Sequence, residues 1–303
     1  MDGRTESTMH LLKDLYTIYG ELLVKKDVEI KPIVVKKVRQ RGARHKQAIV
    51  SLGHTDVFTD FKKVFNDRRY INMLQSPSVK KDVCSVAGSL KIEHDLLFEL
   101  SAMKSNLPYT YNHVLIVAAF AIRLSQIYKP AGYNKHTVAH CGFTHDIGKT
   151  RVPVSILEKS TKLTKVEKTM IDTHPVMGYL MLNYYLKKDR TICSLASLDH
   201  HERKDGSGYP NGIKRIDKYT QLTSVVDVMD ALMTRRPYRK KMFSLRAALD
   251  YLMKEALANK FDKDIVLTLI SLARKDKPNI RSMKVSKEVR EELPEELKHD
   301  KYA

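Results

Sequence analysis

The sequence contains few cysteines and no long uninterrupted apolar segment. Its three cysteines, Cys84, Cys141 and Cys193, lie far apart in the chain, and none belongs to a Cys-x-x-Cys pair. This spacing indicates neither a zinc knuckle nor a disulfide framework and favours buried, reduced thiols. The longest continuous apolar run, Val114 to Ile122, is too short to span a bilayer, and the N-terminus lacks the apolar core of a signal peptide. We therefore expect a soluble, cytoplasmic protein without membrane contact.

The chain is strongly basic, with 54 Lys and Arg residues against 35 Asp and Glu residues and a formal net charge of +19. Such a balance favours anionic partners, whether nucleotides, nucleic acid or an acidic protein surface. A lysine-rich solvated surface accounts for the same balance without any partner. The sequence contains no zinc finger or RNA-recognition motif, so no binding of nucleic acid is expected.

With 303 residues, 43% of them hydrophobic, the chain is long enough for about two folded domains. We predict an N-terminal domain over residues 1–98, a catalytic domain over 99–275 and a charged tail over 276–303. The pattern leaves open whether residues 1–98 have a regulatory, dimerising or purely structural role.

The N-terminal domain is expected to be small and either mixed α/β or helical. Apolar spacing from Met9 to Val24 predicts an amphipathic helix. Helical patterns also run from Phe58 to Leu74 and from Val83 to Leu100, and Pro77 separates the two.

Two clusters of polar residues contain the candidate metal-binding and catalytic side chains. His200 and His201 precede the glycine-rich turn Asp205 to Pro210, which suits a metal site covered by backbone. His145 and Asp146 form the other cluster, with Lys149 just beyond them. Together they predict a metal-dependent hydrolase that acts on phosphate.

The geometry of a helix constrains how His145 and Asp146 can share one site. Adjacent helical residues point roughly 100° apart, so both can serve one site only if it holds more than one metal or if the carboxylate bridges. Sites with two metals in phosphohydrolases use that arrangement. The alternative is that Asp146 caps the following loop.

His174 is expected at a junction between two helices. Thr164 and Glu167 have the spacing of a capping box that begins one helix, and Pro175 would begin the next. At such a junction the His174 ring can point inward, although a histidine that caps a helix C-terminus is the simpler alternative.

Asp227 and Asp230 lie three residues apart on a largely apolar predicted helix, Leu222 to Thr234, and therefore share a face. Unpaired carboxylates on a buried helix are costly. A metal cation beside Asp227 would compensate this cost.

Several motifs follow one another in a fixed order between Leu107 and Phe243. They are His145-Asp146-Ile147-Gly148-Lys149, Ile156-Leu157, Lys162-Leu163-Thr164, His174-Pro175 with Gly178, His200-His201-Glu202, Asp205 to Pro210, Asp227 to Leu232 and Arg236-Pro237-Tyr238. By these motifs the segment, somewhat under half of the chain, resembles the HD-GYP family of cyclic-dinucleotide phosphodiesterases, a branch of the HD metal-dependent phosphohydrolases. The resemblance implies a mainly α protein with an all-helical catalytic domain.

The resemblance also implies the residues of the site. Asp146 would bridge two divalent metals, iron or manganese being favoured and zinc not excluded. Lys149 and Asp146 would be catalytic, and cyclic di-GMP would be the substrate. The implied metal ligands are His113, His145, Asp146, His174, His200, His201 and Asp227. The implied substrate-binding residues are Lys149, Asp230, Arg236, Arg239 and Tyr209, although Tyr209 could equally serve to pack its loop.

One position departs from the pattern of the family. Some members carry a glutamate one helical turn before the first ligating histidine and hold a third metal, whereas this chain has Tyr109 there. A phenol is a poor ligand for that role. We therefore expect a site with two metals and linear pGpG, rather than GMP, as the main product.

Two other functions compete with hydrolysis of cyclic di-GMP. A non-catalytic sensor of cyclic dinucleotides would use the same pocket but would not need a pair of metals that activates water. A related phosphohydrolase could instead act on another nucleotide, such as cyclic GMP-AMP. The sequence also leaves a homodimer or a signalling partner protein open.

Overall fold

The computed structural model describes residues 9–129, 133–188, 191–235 and 242–283. These residues form a mainly helical protein, which confirms the predicted fold class. The helices are α1 (Pro32–Arg44), α2 (Asp56–Phe61), α3 (Ile71–Leu74), α4 (Pro77–Gly88), α5 (His94–Asn106), α6 (Pro108–Tyr128), α7 (Lys135–Thr144), α8 (Val154–Leu157), α9 (Lys165–Asp172), α10 (His174–Leu186), α11 (Ile192–Asp199), α12 (Lys218–Met233), α13 (Leu245–Leu257) and α14 (Lys263–Ala273). Short 3₁₀ turns cover Leu52–His54, Lys62–Asn66, Arg68–Tyr70 and Ile147–Arg151.

Within the described residues, four short strands pair into two antiparallel ladders. Strand β1 (Leu15–Tyr16) pairs with β2 (Leu22–Val24), and β3 (Ile49–Ser51) pairs with β4 (Lys91–Glu93). The second ladder joins segments that lie on either side of α2 to α4. All four strands belong to the N-terminal third of the chain, in agreement with the predicted mixed character of that region.

The helix predicted from Met9 to Val24 is wrong, because this segment forms the β1–β2 hairpin. The hydroxyl oxygen of Thr17 accepts hydrogen bonds from the backbone N–H groups of Tyr19 and Glu21. Such side-chain bonds compete with helical hydrogen bonding. Gly20 has a φ of +78°, a left-handed conformation that favours glycine and closes the turn.

The helical pattern from Val83 to Leu100 is interrupted, because α4 ends at Gly88 and β4 separates it from α5. Likewise, the pattern from Phe58 to Leu74 contains the two short helices α2 and α3 with 3₁₀ turns between them. Pro77 lies in the first turn of α4, where its missing N–H costs nothing. Apolar periodicity identified the buried faces in these segments but not the ends of the elements.

Helix α6 forms the centre of the protein and is buried on nearly all sides. It packs against α7 on one side and α12 on another, while α10 packs against α11 and α1. The contact with α1 depends on Gly42, where a Cβ atom would lie 2.0 Å from the carbonyl oxygen of Tyr184. The helices that carry or directly precede the predicted metal ligands therefore meet one another in the core.

The N-terminal region shares its core with the rest of the protein. Buried residues on both sides of position 98 belong to one continuous apolar cluster, and α5 crosses the predicted boundary between residues 98 and 99. Arg151 donates from Nε to the carbonyl oxygen of Tyr16 at 2.9 Å and pairs with the buried Glu99. The division into three parts stays a prediction, and residues 284–303 of the predicted tail lie outside the described residues.

The cysteines are free thiols. Cys141 and Cys193 are buried as predicted, although the fold brings their Sγ atoms to 3.8 Å from each other, while Cys84 is partly exposed. Among the described residues, no helix has the length and apolar character needed to cross a membrane.

Candidate metal centre

The predicted ligands come from five places that are distant in sequence. His113 lies on α6, His145 and Asp146 directly follow α7, and His174 is the first residue of α10. His200 and His201 follow α11, and Asp227 lies on α12. All of these side chains are buried. The capping box of Thr164 and Glu167 is present, and Pro175 lies in the first turn of α10, so the predicted junction at His174 is confirmed.

The first ligand set contains His113, His145 and Asp227. One nitrogen or oxygen atom from each of them lies within 4.8 Å of those of the other two. The Nε2 atom of His113 is 3.0 Å from Oδ1 of Asp227. Two imidazoles and a carboxylate are a donor set that suits divalent iron or manganese and also zinc.

The second ligand set contains His174, His200 and His201, whose ligand atoms also lie within 4.8 Å of one another. The Nε2 atoms of His174 and His200 face each other at 3.3 Å. The ring of Tyr209 stacks on His201, with 4.7 Å between the centroids and 12° between the planes.

Asp146 lies between the two sets and offers one oxygen to each. Its Oδ2 atom is 3.6 Å from Nε2 of His145 and 3.8 Å from Nε2 of His113. Its Oδ1 atom is 3.2 Å from Nε2 of His174 and 3.6 Å from Nε2 of His200. This placement would allow the carboxylate to bridge two metals, and the bridging role stays a prediction.

The tautomers of three histidines follow from their backbone contacts. Nδ1 of His145 lies 2.9 Å from the carbonyl oxygen of Gly142, and Nδ1 of His174 lies 2.7 Å from that of Ile171. Nδ1 of His200 lies 2.9 Å from the carbonyl oxygen of Ser197. A carbonyl oxygen only accepts hydrogen bonds, so each Nδ1 carries the proton and each Nε2 presents a lone pair to the site. This is the usual second contact of a histidine that binds a metal.

Two observations show that the donor atoms fit metal ions. The buried Nε2 of His145 and Oδ1 of Asp146 make no hydrogen bond with the described residues. The unprotonated Nε2 atoms of His174 and His200 would repel each other at 3.3 Å unless a cation lay beside them. Buried groups of this kind are normally satisfied, and a metal bound here would satisfy them.

Burial keeps most of these imidazoles neutral. It lowers the pKa of His145 to about 4, the nearby His200 adding to that effect, and it lowers the pKa of His174 to about 4, with Lys149 contributing. The pKa of His201 is also held well below its usual value by burial. Neutral imidazole is the form that binds metal, so these side chains need lose no proton at neutral pH.

His113 differs because two carboxylates flank its ring. Burial would lower the pKa of His113, but hydrogen bonds to Asp227 and Asp230 outweigh burial and raise the pKa to about 9. Nδ1 donates to Oδ2 of Asp230 at 2.6 Å. A metal in the first set would take the place of the proton on Nε2.

Lys149 lies on the 3₁₀ turn that follows Asp146. Its Nζ atom is 2.6 Å from Oδ2 of Asp146. Burial would raise the pKa of Asp146, but the charge of Lys149 outweighs burial and holds the pKa well below the ordinary value. The carboxylate is therefore ionised and able to bridge.

Close backbone contacts hold the segment from His145 to Lys149 against α10. A Cβ atom on Gly148 would lie 2.0 Å from the carbonyl oxygen of His174 and 2.6 Å from the backbone nitrogen of Gly178. The hydroxyl of Ser197 donates to the carbonyl oxygen of His145 at 2.7 Å. Two of the motifs contain these glycines, but only the structure shows that the backbones at Gly148 and Gly178 are in contact.

The loop after His201 is folded back onto the residues that precede it. Oε1 of Glu202 accepts a hydrogen bond from the backbone nitrogen of Asn211 at 2.6 Å. A Cβ atom on Gly208 would lie 2.4 Å from the backbone nitrogen of Arg203. Tyr209 is thereby directed at His201, so its packing role is visible, whereas contact with substrate stays a prediction.

Asp230 does not have the position predicted for a substrate-binding residue. Its side chain is fully buried, and its oxygens accept hydrogen bonds from His113, Tyr70, Arg69 and Thr234. The carboxylate thus holds His113 and is not open to a ligand. Arg236 and Arg239, the other predicted phosphate-binding residues, lie outside the described residues.

Sequence reasoning missed Arg69 and Tyr70. Both belong to the region for which no resemblance was found. Tyr70 contacts Asp230 across 160 residues of chain. A buried carboxylate on α12 does require partners, and that requirement was the only signal in the sequence. It could not identify the partners.

The family model described as "HD domain" matches residues 95–265. Among curated proteins, the cyclic di-GMP phosphodiesterase response regulator RpfG of Xanthomonas campestris is 42% identical over 110 residues, which are 36% of this chain and 29% of that protein. The cyclic di-GMP phosphodiesterase PA4108 of Pseudomonas aeruginosa is 31% identical over 200 residues, covering 65% of this chain and 45% of that protein.

A third relative acts on a different cyclic dinucleotide. The 3'3'-cGAMP-specific phosphodiesterase 2 of Vibrio cholerae is 32% identical over 148 residues, which are 48% of this chain and 28% of that protein. This chain therefore spans less than half the length of the three curated relatives. The predicted resemblance to cyclic-dinucleotide phosphodiesterases with an HD domain is confirmed.

Proposed function

The chain belongs to the HD domain family, and on that premise we propose that it is a metal-dependent phosphodiesterase that hydrolyses cyclic di-GMP. The observation that carries the proposal is the position of Asp146, with one oxygen facing His113 and His145 and the other facing His174 and His200. A carboxylate shared in this way fits two metals held a few ångströms apart.

We propose that His113, His145 and Asp227 hold one metal and that His174, His200 and His201 hold the other, with Asp146 bridging them. Iron or manganese suits these imidazole and carboxylate ligands. Metals bound there would supply Lewis-acid chemistry and an activated water for in-line attack on phosphorus. The buried lone pairs on Nε2 of His145 and on the facing histidines of the second set support this assignment.

Lys149 is proposed to act on the substrate. Its ammonium group is the positive charge nearest to Asp146, and its side chain keeps 12% of its surface exposed although Asp146 is fully buried. It can therefore reach outward from the bridging carboxylate toward the non-bridging oxygens of a phosphodiester. A fixed cation at this place stabilises the charge that develops in the transition state.

The remaining substrate contacts are proposed from the motifs. Arg236 and Arg239 would pair with phosphate oxygens through their guanidinium groups. Tyr209, which stacks on His201, lies beside the second ligand set and would contact the substrate there. Linear pGpG is the proposed main product because Tyr109 offers no carboxylate for a third metal.

Cyclic GMP-AMP is the second candidate substrate, favoured by the relative from Vibrio cholerae that is specific for it. Both molecules contain the same type of phosphodiester, so the proposed metal centre serves either one. A sensor without activity is disfavoured, because such a protein does not require the complete ligand sets and Lys149. The cytoplasmic location and a homodimer or signalling partner stay predictions.

The test is turnover by the full chain loaded with iron or manganese. Cyclic di-GMP, cyclic GMP-AMP and linear pGpG are offered separately, and products are separated by chromatography. Conversion of cyclic di-GMP to pGpG by the wild type, with none by Asp146→Ala, supports the proposal. Faster turnover of cyclic GMP-AMP than of cyclic di-GMP would make cyclic GMP-AMP the substrate. Absence of turnover with both metals bound would favour a sensor.

A further inference from the structure

Tyr70, at the end of a 3₁₀ turn in the N-terminal region, reaches the network around the metal ligands. The residue is 1% exposed, and its ring packs edge-on against Phe120 of α6 with 4.9 Å between the centroids. This packing fixes the direction of the phenol. Its hydroxyl donates to Oδ1 of Asp230 at 2.5 Å.

Arg69 makes a second contact with the same oxygen. Its Nη1 atom lies 3.2 Å from Oδ1 of Asp230 and 2.5 Å from the hydroxyl of Thr234. Asp67 holds the other side of the guanidinium group, with Nη2 at 2.6 Å from Oδ2. The guanidinium is thus held between two carboxylates, in a geometry that fixes both.

The other oxygen of Asp230 faces His113. Oδ2 accepts a hydrogen bond from Nδ1 of His113 at 2.6 Å, and the opposite nitrogen of that ring is directed at Asp227 and Asp146. A continuous chain of contacts therefore runs from Tyr70 and Arg69 through Asp230 to the first ligand set.

We propose that Tyr70 and Arg69 are positioning residues of the metal centre, acting on His113 through Asp230. Rotation about the last side-chain bond of an aspartate is only weakly restricted, so a carboxylate held only by His113 could turn and let the imidazole turn with it. Partners on Oδ1 remove that freedom. Outer contacts of this kind orient metal ligands and raise affinity. The inference rests on the proposed metal centre but does not depend on which dinucleotide is the substrate.

The proposal predicts an effect on only one of the two ligand sets. Asp230 contacts His113 of the first set, whereas in the described part of the chain no hydrogen bond or ion pair joins it to the second set. A merely structural role of Tyr70 would lower the stability of the whole protein without selecting one metal. Selectivity between the sets therefore separates the two roles.

The experiment uses the full chain loaded with Mn²⁺ and compares Tyr70→Phe with Tyr111→Phe. Tyr70→Phe keeps the ring on Phe120 and removes only the hydroxyl. Tyr111 lies on α6, the helix that carries His113, and its buried hydroxyl donates to Asp60 at 3.0 Å. Tyr111→Phe removes that hydroxyl. Arg69→Met provides a second variant of the proposed contact. Competition with a graded series of chelators, followed by elemental analysis, gives the affinity of each of the two metals.

We expect Tyr70→Phe and Arg69→Met to lower the affinity for one metal by about 10–100-fold, the usual cost of losing an outer contact. The affinity for the other metal should be unchanged. Tyr111→Phe should alter neither affinity. In an Asp230→Ala background Tyr70→Phe should have no further effect on metal affinity, because the side chain through which Tyr70 acts is absent.

Wild-type affinity for both metals in Tyr70→Phe and Arg69→Met would overturn the inference and leave the proposed function intact. Equally weaker binding of both metals, seen also in Tyr111→Phe, would show that Tyr70 has only a structural role. That result would overturn the inference as well. Wild-type protein that binds no metal would instead overturn the proposed metal centre, and the inference with it.

Discussion

The Nζ atom of Lys149 lies 2.6 Å from Oδ2 of Asp146, the same oxygen that faces His113 and His145. Lys149 is thus the nearest counter-charge to the Asp146 carboxylate when no metal is bound. A metal that binds Oδ2 would take over that role and release the ammonium group for the substrate. The same side chain can therefore stabilise the free site and act in the loaded one.

Replacing Lys149 should separate metal binding from turnover. Lys149→Met removes the charge and keeps much of the length, so metal content should stay close to that of the wild type, since no ligand is lost. Turnover of cyclic di-GMP should fall by about two to three orders of magnitude, as is usual when one charge stabiliser is removed. Elemental analysis and steady-state kinetics on the same preparation measure both quantities.

Lys104→Met is the matched control for this experiment. Lys104 pairs with Asp60 at 2.6 Å, a lysine–aspartate contact of the same length whose partner is not a proposed ligand. Turnover of cyclic di-GMP by Lys104→Met should equal that of the wild type. Normal turnover by Lys149→Met would show that Lys149 only balances the charge of Asp146.

Asp146 should be required for both metals because it contributes one oxygen to each ligand set. Asp146→Ala should therefore lose both metals, whereas Asp227→Ala should lose affinity mainly in the first set. Elemental analysis after dialysis against a weak chelator distinguishes these results. Retention of one full equivalent of metal by Asp146→Ala would show that the carboxylate does not bridge.

The loop that carries Tyr209 should be sensitive to the smallest change at Gly208. A Cβ atom there would lie 2.4 Å from both the Arg203 nitrogen and the Glu202 Cα atom, and neither backbone atom can move without displacing His201. Gly208→Ala should push the loop away, remove the stacking of Tyr209 on His201 and weaken the metal of the second set by about 10-fold or more. Chelator competition measures that affinity.

Ser207→Ala is the control for the loop, since Ser207 is exposed and, among the described residues, its hydroxyl bonds only with Asp205. It should leave metal affinity unchanged. A second metal bound as tightly in Gly208→Ala as in the wild type would mean that the loop does not support His201.

Tyr109 offers a test of the number of metals. It lies on α6 one helical turn before His113 and is exposed, so a carboxylate there would be on the side of His113 that is nearest the helix N-terminus. Tyr109→Glu should bind a third metal and convert more of the product to GMP. Elemental analysis and chromatography of products check both. Three metals in the wild type would contradict the argument from Tyr109 directly.

Much of the candidate site could be predicted from the sequence because its ligands occur in short motifs. His145-Asp146, His174-Pro175 and His200-His201 are each joined to a helix end, and Asp227 and Asp230 share a helix face. Local rules of helix geometry are enough to place such groups. The mainly helical catalytic fold and the full set of ligands, by contrast, were implied by the resemblance to the HD-GYP family.

The N-terminal region could not be predicted equally well. The segment from Met9 to Val24 has helical spacing of its apolar residues, yet it forms a hairpin because Thr17 bonds locally to the backbone and Gly20 closes the turn. Its strands also gain partners from the fold, since Arg151 donates to the carbonyl oxygen of Tyr16. Such contacts outweigh a weak intrinsic preference for helix.

The sequence by itself determined which residue types meet the needs of a metal centre and on which helices they lie. Only the tertiary structure decided that the oxygens of Asp146 face different histidines and that Asp230 holds His113. It alone placed Arg69 and Tyr70 beside Asp230, a contact across 160 residues for Tyr70. The physical reason is range: periodicity and capping describe neighbours within a few residues, whereas these contacts depend on how α6 and α12 pack against each other and against the N-terminal region.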